Sequence, residues 1–144
     1  MIKQINFDMD GTIADFYGVE GWLDDLMNEN VRPYVEAAPL LNLSALARQL
    51  NRLTRSGYEL NIISWTSRSG SDEFCEKIQA AKIRWLNQHL PSVHFTNIFI
   101  IPYGTPKQNY GKGILFDDEQ RNRDNWCGIA YDVQNILEIL RELN

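Results

Sequence analysis

The chain has 144 residues, 44% of them hydrophobic and 23% charged, and a formal net charge of −5, which suits one globular domain with a real core. With no Lys/Arg run to offset the acidic balance, extended nucleic acid is disfavoured as a partner, although a small nucleotide is not. No stretch has the length and apolarity of a membrane span and the N-terminus lacks a basic-then-apolar leader, so the expectation is a cytoplasmic protein without membrane contact. Cys75 and Cys127 are expected as reduced, buried thiols, and His89 and His94 at the surface or at helix ends.

The run from Ile2 to Phe7 reads as a short buried strand, and it stops abruptly in Asp8-Met9-Asp10-Gly11-Thr12. Two carboxylates one residue apart repel each other and hold protons tightly unless a cation neutralises them. A hard divalent ion held by oxygens, Mg²⁺, meets that need. Residues 16 to about 42 contain Gly18, Gly21, Pro33 and Pro39 and read as a small, partly helical insertion. Within it one short helix is expected over Glu20–Asn28, ended before Pro33, with Trp22 and Tyr34 forming a mini-core of the insertion's own. Leu43, Leu46, Leu50 and Leu53 then recur at helical spacing. Asn42 or Ser44 caps that helix, Arg52 and Arg55 lie on its solvated face and last turn, and Gly57 ends it.

A second strand spans Tyr58 to Ser64 and runs into Trp65-Thr66-Ser67. Hydroxyl groups and free backbone N–H groups at a strand end suit phosphate oxygens. Ser71 caps a helix over about 72–89 that buries Phe74, Ile78, Ala81, Trp85 and Leu86, with Glu73 and Lys77 paired on its other face. Asn97–Ile101 is a third strand, followed by a Pro/Gly loop carrying Lys107. Gly113–Phe116 is a fourth, and like the first it ends in acids, Asp117-Asp118-Glu119. Residues 119–126 read as a polar loop or short helix and 128–131 as a last short strand. Asp132 is expected to cap a final helix bearing Val133, Ile136, Leu137 and Leu140.

Strands alternating with helices argue for an α/β fold, a parallel sheet covered on both faces, with ligands at the carboxyl ends of the strands. That edge gathers Asp8, Asp10, Ser64, Lys107, Asp117 and Asp118. An Asp/Gly turn accounts for any one of these strand ends; it does not account for the set.

The constellation resembles the haloacid dehalogenase-like (HAD) hydrolase superfamily over nearly the whole chain. The acid-x-acid-Gly-Thr motif stands as Asp8-Met9-Asp10-Gly11-Thr12, and the strand-closing hydroxyl as Ser64, or Thr66 if the strand runs longer. The lysine stands as Lys107, with Lys112 the weaker choice, and the paired acids as Asp117-Asp118. The stretch Asp8–Phe16 and the ten-residue gap from Lys107 to Asp117 resemble the 5′(3′)-deoxyribonucleotidases in particular. The insertion is shorter than in that group and poorer in matching aromatics.

The resemblance implies a Rossmann-like single domain over 1–144 with a small cap at about 16–42. It also implies a Mg²⁺-dependent phosphatase acting on a small phosphate ester, a nucleotide, through an aspartyl-phosphate. Asp8 would be the nucleophile, Asp10 the acid and base, and Lys107 the neutralising cation. The metal would take the Asp8 carboxylate, the Asp10 main-chain carbonyl and Asp118, with Asp117 supporting Lys107. Met9, Ser64, Trp65, Thr66 and Asp117 would line the phosphate site, and Phe16 would stack on a base. Phosphatases of other metabolites or of nucleic-acid 3′ ends share these motifs. A phospho-acceptor signalling module lacks an equivalent of Asp10.

Overall fold

The computed structural model describes residues 2–144. The elements run β1 (Gln4–Phe7), β2 (Ala14–Asp15), α1 (Trp22–Met27), α2 (Arg32–Glu36), β3 (Ala38–Pro39), α3 (Leu43–Arg55) and β4 (Glu59–Trp65). They continue as α4 (Asp72–His89), β5 (Asn97–Ile101), β6 (Ile114–Phe116), α5 (Gln120–Asp124), β7 (Ile129–Tyr131) and α6 (Ile136–Glu142). Five strands pair in parallel in the order β5-β4-β1-β6-β7, and β2 pairs with β3 in a small antiparallel ribbon. This is the α/β, Rossmann-like arrangement of a HAD fold.

Every residue of β1 is buried, as a central strand covered on both faces must be. The chain builds outward from β1 through β4 to β5, then returns to the other side of β1 for β6 and β7. The carboxyl end of β1 is therefore the topological switch point, where an open α/β sheet leaves a crevice. Phe7 lies level with Ile62 on one side and Phe116 on the other, so the chain leaves the sheet with Asp8 beside Asp117. Buried amides hold this register. The Asn6 side chain donates to the carbonyls of Lys112 and Ile114 at 2.8 and 3.0 Å, and that of Asn61 donates to Asn6 Oδ1 at 3.0 Å.

Capping follows local chemistry. Asn42 rather than Ser44 caps α3, its side chain accepting from Ala45 N, and Ser71 caps α4 by accepting from Phe74 N. Gly57, with φ +96°, supplies the left-handed turn between α3 and β4. Arg52 is more than a solvated residue, because its guanidinium donates to the carbonyls of Leu140 and Leu143 at the end of α6.

The structure departs from the sequence expectations in four places. The first helix of the insertion, α1, ends before Pro33 as expected, but a second follows, α2, which Pro33 opens from a first-turn position where a missing N–H costs no helical bond. Trp22 and Tyr34 do not form a private mini-core, since with Phe16, Leu26 and Val31 they pack on Phe74, Ile78 and Ala81 of α4. The insertion is thus seated on the main body, and Glu29 strengthens the seat by accepting from the Ser71 N–H and hydroxyl at 3.0 and 2.6 Å. Asp132 accepts from the N–H of its neighbour Val133 and pairs with Arg123 at 3.6 Å instead of capping a helix, and α6 starts later, at Ile136. Cys75 is half-buried and Cys127 exposed, both as free thiols. Among the described residues no helix is long and apolar enough to cross a membrane.

Candidate active site

The turn after β1 is wound tightly. The Met9 carbonyl accepts from the N–H groups of Thr12, Ile13 and Ala14, each at 3.0 Å. Gly11 sits at φ +82°, and a Cβ there would run into the Asp118 carboxylate, so both the backbone angle and the close approach require glycine. Met9 itself is buried in the main core.

This turn delivers Asp8 to the mouth of the crevice. One carboxylate oxygen accepts from Lys107 Nζ at 2.9 Å and the other from the Thr12 hydroxyl at 3.0 Å. Lys107 Nζ also reaches Asp117 at 2.8 Å, while Asp117 accepts from Asn122 Nδ2 and the Glu119 N–H. Burial pushes the Asp8 carboxyl up, but the Lys107 ammonium and a hydrogen bond shared with Asp118 outweigh it and hold the group below its usual value. Burial and then the Asp8 charge push Asp117 up to about 6 and Asp118 up to about 8. Lys107 is desolvated too, yet its two carboxylate neighbours raise it above the ordinary lysine value.

Oxygen atoms of Asp8, Asp117 and Asp118 lie within 4.8 Å of one another. An all-carboxylate donor set with surplus negative charge fits a hard divalent cation such as Mg²⁺. Asp117 is committed to Lys107, Asn122 and the Glu119 N–H, and Asp8 to Lys107 and Thr12, which leaves Asp118 the freest of the three. The Asp10 carboxylate is not in this cluster.

Asp10 instead points to a residue that sequence reading missed. Lys82, on α4 and only 1% exposed, donates to Asp10 Oδ2 at 2.9 Å, Ser64 Oγ at 2.7 Å and the Trp65 carbonyl at 2.7 Å. Its three donors meet three acceptors. The signal was present, since Lys82 is four residues after Ile78 and three before Trp85, inside the apolar stripe of α4. Burial leaves the Asp10 carboxyl above its usual range even with that ammonium beside it. Each of the two acids of the first motif therefore has its own lysine. Lys112 is not at the site: its backbone N–H and carbonyl serve Gln4 and Asn6.

β4 runs on to Trp65. Ser64 is thus an interior strand residue with its hydroxyl engaged by Lys82, and Thr66 is the first residue off the strand. All three border a cavity of about 450 Å³, within the range of small-ligand sites. Opposite them the insertion contributes Phe16, Tyr17, Trp22 and Tyr34. Phe16 is 3% exposed, with Tyr34 at 4.5 Å and Trp22 at 5.4 Å between ring centroids. Tyr17 is 53% exposed and stands edge-on to both Phe16 and Trp22. The aromatic surface offered to the cavity is more that of Tyr17 than of Phe16.

A parallel sheet with a HAD-like order, an acid pair at its switch strand and a second acid pair on the neighbouring strand define a phosphatase of the HAD type. A family model described as 5′ nucleotidase, deoxy (Pyrimidine), cytosolic type C protein matches residues 34–138, and the chain belongs to that family of HAD-like nucleotidases. The matched span includes Ser64, Thr66, Lys82, Lys107 and the Asp117-Asp118 pair; Asp8, Asp10 and Phe16 precede it. No curated protein matches the chain.

Proposed function

We propose that the protein is a Mg²⁺-dependent nucleotide monophosphatase that works through an aspartyl-phosphate on Asp8. The observation that carries this reading is the division of labour at the end of β1: Asp8 paired with Lys107, and Asp10 paired separately with Lys82. An Asp8 oxygen attacks phosphorus and the bond to the leaving oxygen breaks. Asp10 gives that oxygen its proton, then takes one from the water that hydrolyses the intermediate. Lys107 neutralises charge on the phosphoryl oxygens, and Asp117 keeps Lys107 in place. Thr66, with the Met9 N–H and the Ser64–Trp65 strand end, holds the phosphate.

The carboxylates of Asp8 and Asp118 and the Asp10 main-chain carbonyl would hold Mg²⁺, which when bound offsets the repulsion between Asp8 and an incoming phosphate dianion. The segment from β2 to β3 acts as a small cap, so that the chain is one domain with its substrate between cap and sheet. The family description favours a pyrimidine deoxynucleotide and a cytosolic setting; a cavity walled by Tyr17 and Phe16 suits a base.

The test is phosphate release from a panel of deoxy- and ribonucleotides, 5′ and 3′, and small aryl and sugar phosphates, with and without Mg²⁺. Metal-dependent turnover favouring deoxynucleotides is expected, and Asp8→Asn should abolish it with an unchanged circular dichroism spectrum. Substantial residual turnover by Asp8→Asn would remove Asp8 as nucleophile.

A further inference from the structure

The wall of the cavity facing the cap has a chemistry that hydrolysis of a single phosphate does not use. Trp65 is pinned there by its indole N–H, which donates to the Thr105 carbonyl at 2.9 Å. Tyr103 leans on it with centroids 4.9 Å apart. Two guanidinium groups from separate elements settle on this pair. Arg121, from α5, lies 4.9 Å over the Trp65 ring and 6.0 Å over Tyr103, while Arg68, from the β4–α4 loop, lies 5.9 Å over Tyr103. An arginine stacked on an aromatic ring keeps its N–H edge free for an anion.

Arg68 is not spent on a carboxylate. Among the described residues Arg68 has no acidic side chain within ion-pair distance, and Arg121 pairs at 3.4 Å with the exposed Glu119. In a chain of net charge −5, Arg68 in the cavity wall and Arg121 stacked on two of its lining rings set two guanidinium groups against one carboxylate, Glu119, a local positive rim. Lys107, at the reacting end, lies 5.2 Å over the same Trp65 ring. The rim and the lysine at the reacting end thus share one indole as their common wall.

We propose that Arg68 and Arg121, mounted on Trp65 and Tyr103, form a second anion subsite, and that the favoured substrate carries two phosphates on one sugar, a nucleoside 3′,5′-bisphosphate. This rests on the nucleotidase reading and narrows its substrate class. One phosphate is transferred to Asp8 and released to water, with the sugar oxygen leaving as a hydroxyl. The other is held by the rim and keeps its ester bond. Guanidinium–phosphate contacts are charge-assisted and bidentate, and together the two arginines should favour the bisphosphate by about tenfold in kcat/KM, discounted for their exposure.

The experiment measures kcat/KM of the Mg²⁺-loaded enzyme for deoxythymidine 5′-monophosphate and deoxythymidine 3′,5′-bisphosphate, in the wild type and in Arg68→Ala, Arg121→Ala and the double variant. The expected wild-type ratio of bisphosphate to monophosphate is about ten. In the double variant it should fall towards one through KM, with partial recovery in Arg68→Lys/Arg121→Lys. A wild-type ratio near one, or a ratio that the double variant leaves unchanged, overturns the subsite while the monophosphate turnover keeps the nucleotidase reading intact. Turnover of neither nucleotide would overturn that reading and the subsite with it.

Discussion

Replacing Lys82 by Met is the sharpest perturbation of this site. Met fills the same channel through α4 but removes all three donors, leaving Asp10, Ser64 and the Trp65 carbonyl facing an apolar tip. Breaking one side of a buried ion pair costs about 3–5 kcal/mol. In a domain of this size that corresponds to a fall in Tm of about 10 °C or more, readable by thermal denaturation. The catalytic consequence is separable when assays are run well below the new Tm. Asp10 loses the contact that aims it, so proton transfer, worth about 10²–10⁴-fold in such sites, should be impaired in both half-reactions on a nucleotide. A nitrophenyl ester needs no proton on its leaving group. Its first step survives, the second stays slow, and the time course should show a burst of nitrophenolate equal to the enzyme concentration. A Tm within 1–2 °C of wild type, well short of the roughly 10 °C expected, together with undiminished nucleotide turnover, would refute the reasoning.

Three further outcomes follow from the same geometry. Tyr17→Ala should raise KM for nucleotides more than Phe16→Ala does and leave a small aryl phosphate little changed, because Tyr17 exposes its ring while Phe16 is enclosed; a Tm loss of several degrees should be confined to Phe16→Ala. Without metal, Asp117 and Asp118 keep protons in the folded state that the unfolded chain has already released. Folding stability should therefore fall as pH rises from about 4 to about 8, and Mg²⁺ should raise Tm more at pH 8 than at pH 5; an equal metal effect at both would contradict the carboxylate assignment. Gly11→Ala should cost metal affinity as well as stability, since the added methyl would displace the Asp118 carboxylate; isothermal titration with Mg²⁺ reads the first and denaturation the second.

Sequence by itself determined the elements whose cause is local. The strand positions, the cap at Ser71, the turn at Gly57 and the apolar stripes of α3 and α4 rest on backbone preference and periodicity, which adjacent residues carry. It also determined that acids stand at the ends of β1 and β6, because strand termini in an alternating α/β chain share an edge. Tertiary structure alone decided which group meets which. Lys82 reads as one more lysine on a helix until α4 is laid across the sheet, where its ammonium lands between Asp10 and Ser64. Trp22 and Tyr34 could pair with each other or with anything brought near, and the docking of α2 on α4 made the choice. Arg68, the Tyr103–Lys107 loop and Arg121 lie in three separate stretches, and only the packed chain gathers them around the Trp65–Tyr103 pair. Contacts between residues far apart in the chain depend on where whole elements settle, and no window of neighbouring residues encodes that position.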